Sequence, residues 1–204
     1  MGRARELANL FSGGSADINV KTSDGGILNL QTSDTTVTQD SVVGSIQFQA
    51  PDEASGTDSI LLASKIEAVA EGTFSASSNA TTLRFFVAKS AAAGSGTDGA
   101  VLKFNSDGNL FIKDLSATDG SSPILTFETG DTDIAQDDVL GTINFQAPDE
   151  GTGTDAILVA ASISAISEGD FSSSSNATKL SFKTGASEAA SEKMSLSSAG
   201  LLTV

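Results

Sequence analysis

The sequence contains no histidine, cysteine, tryptophan or tyrosine, and only three prolines. Each absence removes a class of chemistry. Without cysteine there is no disulfide framework and no thiolate nucleophile. Without histidine as well there is no Cys/His zinc site, no imidazole base and no hydrolytic triad. Basic residues are scarce, 11 against 26 acidic ones, for a formal net charge of −15. Such a chain is repelled by phosphate backbones and anionic bilayers, so nucleic-acid binding is not expected. No apolar run approaches the ~20 residues that span a bilayer, and membrane insertion is not expected either. Met1–Phe11 lacks the continuous apolar stretch of an export signal.

What the chain does contain is hydroxyl groups. Of 204 residues, 31 are Ser and 20 are Thr, Gly adds 20, and 39% are apolar. Charged residues make up 18%, below the usual ~25%. Phenylalanine is the sole aromatic. This composition fits an extended β-protein better than a helical one.

The chain is a duplication, and a repeat decides the fold before any single motif does. Residues 27–90 align with residues 124–187 at a constant offset of 97, without a gap, and 36 of the 64 positions are identical. The shared core reads GSIQFQAPDE at Gly44–Glu53 and GTINFQAPDE at Gly141–Glu150. It is followed in both copies by GTD, EG (Glu71-Gly72, Glu168-Gly169) and SSNAT. After a five-residue deletion, LKFNSDGNLFI (Leu102–Ile112) parallels MSLSSAGLLTV (Met194–Val204). The expected organisation is an N-terminal anchor and linker over residues 1–15, one β-repeat over 16–112 and a second over 113–204.

Within each copy, apolar residues alternate. Ile46, Phe48 and Ala50 interleave with Ser45, Gln47 and Gln49; Leu83 and Phe85 alternate, as do Leu180 and Phe182. Period 2 is the pattern of a half-buried strand. Leu102–Phe104 and Leu110–Ile112 flank an Asp107-Gly108 turn and read as a hairpin. The stretch Asp58–Glu71 is compatible with a helix or a strand. Its second copy, Asp155–Glu168, alternates Ile157, Val159, Ala161, Ile163 and Ala165 with Ser-rich positions, which predicts a long strand in both. Ala4, Leu7, Ala8 and Phe11 fall on one helical stripe, so a short N-terminal helix is expected over Met1–Phe11. Ser12-Gly13-Gly14-Ser15 then reads as a flexible break before a first strand at Ile18–Val20.

No motif carries catalysis. The acid pairs Asp52-Glu53 and Asp149-Glu150 follow prolines and read as solvated turns, not as carboxylates facing each other across a substrate. Asp107-Gly108 and Asp119-Gly120 lack the alternating ligands of a calcium loop. Asn79-Ala80-Thr81 and Asn176-Ala177-Thr178 satisfy the glycosylation sequon, but the pattern is short and copied with the repeat. Ser64-Lys65 becomes Ala161-Ser162 in the second copy. No enzyme activity and no cofactor or metal is expected.

The ordered set does carry a resemblance. It comprises G-x-I-x-F-x-A, an acidic Gly-rich loop, a long Ala/Ile-rich strand, L-x-F, and Glu192-Lys193-Met194-Ser195-Leu196-Ser197-Ser198-Ala199-Gly200. It resembles repeat modules in the tail fibres of tailed bacteriophages, particularly marine ones. Residues 141–204 match throughout and residues 44–112 more loosely, about two thirds of the chain. The resemblance implies a virion structural protein on the exterior of the particle, trimeric, with intertwined β-structure. No chaperone domain or receptor-binding tip is expected after Val204; the host surface is kept as a further candidate partner beside the virion proteins. Physical reasoning points to the same assembly: a unit of ~97 residues with few aromatics has little to bury alone, and three chains about one axis pool their apolar stripes.

The resulting expectation is an all-β, elongated tandem repeat in a homotrimeric prism- or β-helix-like fibre. Its shared core is assigned to Ile46, Phe48, Phe85, Ile143, Phe145 and Phe182. Attachment to a portal, tail or capsid protein is assigned to Arg3, Arg5, Leu7, Leu10 and Phe11. The alternatives are a capsid decoration or spike protein and a secreted bacterial surface-appendage subunit.

Overall fold

The structure, a computed structural model, describes residues 23, 25–49, 61–88, 100–114, 119–147 and 157–204. The expected helix, the linker, the strand at Ile18–Val20 and both Pro-Asp-Glu turns lie outside the described residues. The chain divides into two compact units, Met1–Ile124 and Leu125–Val204.

Each unit is one five-stranded antiparallel meander, and no helix of more than a single turn occurs among the described residues. Unit 1 runs β1 (Val42–Gln49), β2 (Leu62–Ala70), β3 (Thr81–Val87), β4 (Ala100–Phe104) and β5 (Leu110–Ile112). Unit 2 runs β6 (Val139–Gln146), β7 (Val159–Ser167), β8 (Thr178–Thr184), β9 (Ser191–Leu196) and β10 (Leu202–Thr203). The first three strands of the two units start and stop at positions 97 apart, so the duplication is structural as well as textual. The stretch that was compatible with helix or strand is a strand in both copies, because its side chains alternate in character and its Ser positions carry no helical preference. Ile157 lies just before β7, outside the alternation expected for it. There the Gln146 side-chain amide donates to its carbonyl oxygen.

Turn chemistry fixes the register. Gly108 adopts φ +79° and donates to the Asn105 carbonyl at 3.0 Å, closing the β4–β5 hairpin; Gly200 repeats this between β9 and β10 with φ +79° and Ser197. Entry to the long meander is also duplicated. Asp40 and Asp137 take left-handed conformations, φ 65° and 70°, and their amides donate to Ala70 and Ser167 carbonyls. Asp tolerates that region better than most residues do.

Candidate assembly interface

Residues directly opposite in an antiparallel ladder share a face, and neighbours along a strand do not. The register therefore sorts each sheet into two faces. On one face of unit 1, Ile46, Ile66, Phe85, Leu102 and Ile112 form an unbroken row across all five strands. The next row on that face holds Gly44, Ala68, Leu83, Phe104 and Leu110. Unit 2 repeats the pattern with Ile143, Ile163, Phe182 and Met194, then Gly141, Ala165, Leu180, Leu196 and Leu202. Phe85 and Phe104 meet edge to face at 6.3 Å between centroids.

This apolar face is open. Phe48 is 52% exposed, Phe145 54%, and Ile46 and Ile143 43% each. Among the described residues, 23 large hydrophobic side chains are exposed, while the buried apolar set is Val69, Ala70, Phe86 and Ile166. The buried polar set is Glu67, Thr82, Ser162, Ser164, Ser167 and Ser181, and most of it lies on the opposite face. There long stems cover the sheet: Lys65 Nζ sits 4.4 Å from the Phe86 ring centroid and 2.6 Å from Glu67 Oε2. For an isolated chain this arrangement is inside out.

The six residues assigned to a shared core all lie on the apolar faces. Ile46 and Phe85 stand in one row with Ile66 between them, and Ile143 and Phe182 in the equivalent row with Ile163 between them. Phe48 and Phe145 lie on the same faces two positions further along β1 and β6. The residues assigned to anchoring, Arg3, Arg5, Leu7, Leu10 and Phe11, lie outside the described residues. Sequence reasoning missed Ile66, Leu102 and Ile112, and with them Ile163 and Met194. Ile66 and Ile163 belong to the stretch of mixed helix and strand character, and the other three are visible as apolar-face residues only once strands pair.

It also missed what the repeated Glu-Gly pair does. The Glu71 carboxylate accepts from the Thr82 hydroxyl at 2.6 Å, from the Ser106 amide at 2.9 Å and from the Ser106 hydroxyl, tying the end of β2 to the β4–β5 turn. The Glu168 carboxylate accepts from the Ser198 amide at 2.9 Å in the same place. Hydrogen bonds from Ser106 and Thr82, and those from Ser198, hold the two carboxyls below the ordinary value of 4.5. Recurrence of both Glu and Ser in the two copies was the available signal.

The groove on the apolar face of unit 1 has a volume of ≈ 180 Å³ and is lined by Leu30, Ile46, Ile66, Ala68 and Leu83 among others. No group of three or more acidic residues is placed to hold a metal ion among the described residues.

No family model and no curated protein matches the chain. Solved structures similar to it include the carboxy-terminal domain of the bacteriophage T5 L-shaped tail fibre with its intra-molecular chaperone domain, at 13% identity and a TM-score of 0.36; the match covers 92% of this chain and 62% of that one. The carboxy-terminal domain of the same fibre is similar at 13% identity and a TM-score of 0.36, covering 93% of this chain and 90% of that one.

Proposed function

We propose that this chain is a structural component of a tailed phage particle, a short fibre or fibre-shaft subunit that assembles as a homotrimer. Its repeats pool their apolar faces about a common axis and project from the particle, and residues 1–11 attach it to a portal, tail or capsid protein. The observation that carries the assembly is the open apolar face, presented at the same register in both units. The phage context rests on the ordered motif set of the sequence. The role is read as mechanical: the sequence holds no histidine or cysteine, and Ser64-Lys65 is not repeated in the second copy.

Sedimentation and electron microscopy test the two halves of the proposal separately. A purified chain that sediments as a stable, folded monomer at micromolar concentration removes the trimer. Deletion of residues 1–11 should leave the oligomer intact and abolish incorporation into particles. If the truncated chain incorporates normally, the anchor lies elsewhere.

A further inference from the structure

Each repeat carries, ahead of the first strand of its meander, a stretch that belongs to no ladder. Residues 27–31 (ILNLQ) precede β1, and residues 124–128 (ILTFE) precede β6 at the same offset of 97. Neither stretch contains a strand or a turn, and none of its backbone amides or carbonyls is hydrogen-bonded within the described residues. Yet both are seated at one defined point. A Cβ on Gly44 would stand 3.0 Å from the Leu30 Cβ, and a Cβ on Gly141 2.9 Å from the Phe127 Cβ. The glycines are notches, and Leu30 and Phe127 are the knobs that sit over them. The rest of each stretch is turned to solvent: Ile27 and Ile124 are 80% exposed, Leu28 61% and Leu125 60%.

A backbone with its hydrogen-bonding groups unpaired and apolar side chains outermost is a strand without a neighbour. The occupant that fits is a second copy of this chain. The arrangement recurs once per repeat, as a contact along a shaft must. The stretches are also free of charge except for Glu128, so like-charged chains of net −15 meet there without repulsion. We propose that residues 27–31 and 124–128 are inter-subunit threads. Each is held in register on its own sheet by the knob and notch, and bonds through its backbone and its Ile-Leu pair to a neighbouring copy. This rests on the homo-oligomeric reading above, and adds to it an element outside the six residues of the shared face.

Amide hydrogen exchange on the full-length assembled protein, with sedimentation on the same sample, tests it. The thread amides should exchange on the order of 100-fold more slowly than those of an open loop. Free-loop exchange in a protein that sediments as an oligomer overturns the threads and leaves the oligomer standing; a monomer overturns both. Protection that survives dilution to monomers puts the partner within the same chain and also overturns the proposal. A Leu28→Asp/Leu125→Asp variant should keep its β circular dichroism and raise the concentration for half-dissociation at least about tenfold. An unchanged dissociation profile overturns the threads. If this variant loses its circular dichroism, the exchange result on the unmodified chain decides.

Discussion

The two units share an apolar face and differ in the other. Across unit 1 the central row of the polar face reads Ser45, Glu67, Arg84, Lys103, Phe111; across unit 2 it reads Thr142, Ser164, Ser181, Ser195, Thr203. Every charged or aromatic member has become a hydroxyl. The apolar rows keep their character, with Ile, Ile, Phe at the same three places. A face that is paired within its own sheet has several equivalent solutions, either ion pairs or short hydroxyl bonds such as Thr142 to Ser164 at 3.1 Å. Under the proposed assembly the apolar face must fit another chain, which leaves fewer solutions.

The largest effect should come from that common face. Phe48→Ala and Phe145→Ala should each cost about 3–5 kcal/mol per chain where the assembly buries the ring. Both rings are more than half exposed in the single chain, so the loss belongs to association. Denaturation at two protein concentrations separates the cases. A loss that does not depend on concentration would show that these rings stabilise the unit alone.

A smaller effect should separate the polar faces. Lys65→Ser removes the partner lying 2.6 Å from Glu67, whose side chain is 7% exposed, and should cost about 1–3 kcal/mol. The double change Lys65→Ser/Glu67→Ser installs the pair that unit 2 carries at Ser162 and Ser164. It should lie within about 1 kcal/mol of the original, since removing both members of a buried ion pair leaves no stranded charge. A double variant as unstable as the single one would mean that the residues matter for packing, not for charge.

Much of the fold was legible because period 2 was written twice. β1, β3, β6 and β8 followed from alternation alone, and the β4–β5 hairpin from Asp107-Gly108. That Phe48, Phe85, Phe145 and Phe182 share one face of their sheets was legible too; the buried Val69, Phe86 and Ile166 lie on the other face. What the sequence could not show was long-range register. Glu71 and Ser106 are 35 residues apart, and Leu30 and Gly44 meet through a strap that has no periodic signature. Around Ile66 the local Ala, Glu and Lys fit a helix as well as a strand; the alternation of the second copy decided for a strand, and the pairing of Ile66 with Ile46 and Phe85 agrees with it.

The smallest effect is acid sensitivity, and it too differs between the units. Glu71 in unit 1 and Glu168 and Glu192 in unit 2 titrate below 4.5 in the folded chain. Glu192 is held there chiefly by the Ser181 hydroxyl at 2.7 Å and by Lys179 at 3.1 Å. A depressed carboxylate contributes stability that is complete above the unfolded value and fades as pH falls through the folded one. Below pH 4.5 each unit should therefore loosen where its carboxylates bind: unit 1 at the β4–β5 turn, unit 2 at the β9–β10 turn and along β8–β9. Protonation also relieves the self-repulsion of a chain of net −15, which acts in the opposite direction. Whole-protein stability is thus the wrong measurement, and local amide exchange the right one. The Ser106 and Ser198 amides should exchange faster as pH falls below 4.5, after correction for the intrinsic rate. Glu71→Gln should flatten the response at Ser106 while leaving that at Ser198 unchanged. Two units that respond alike in that variant would mean that neither turn is held by its carboxylate.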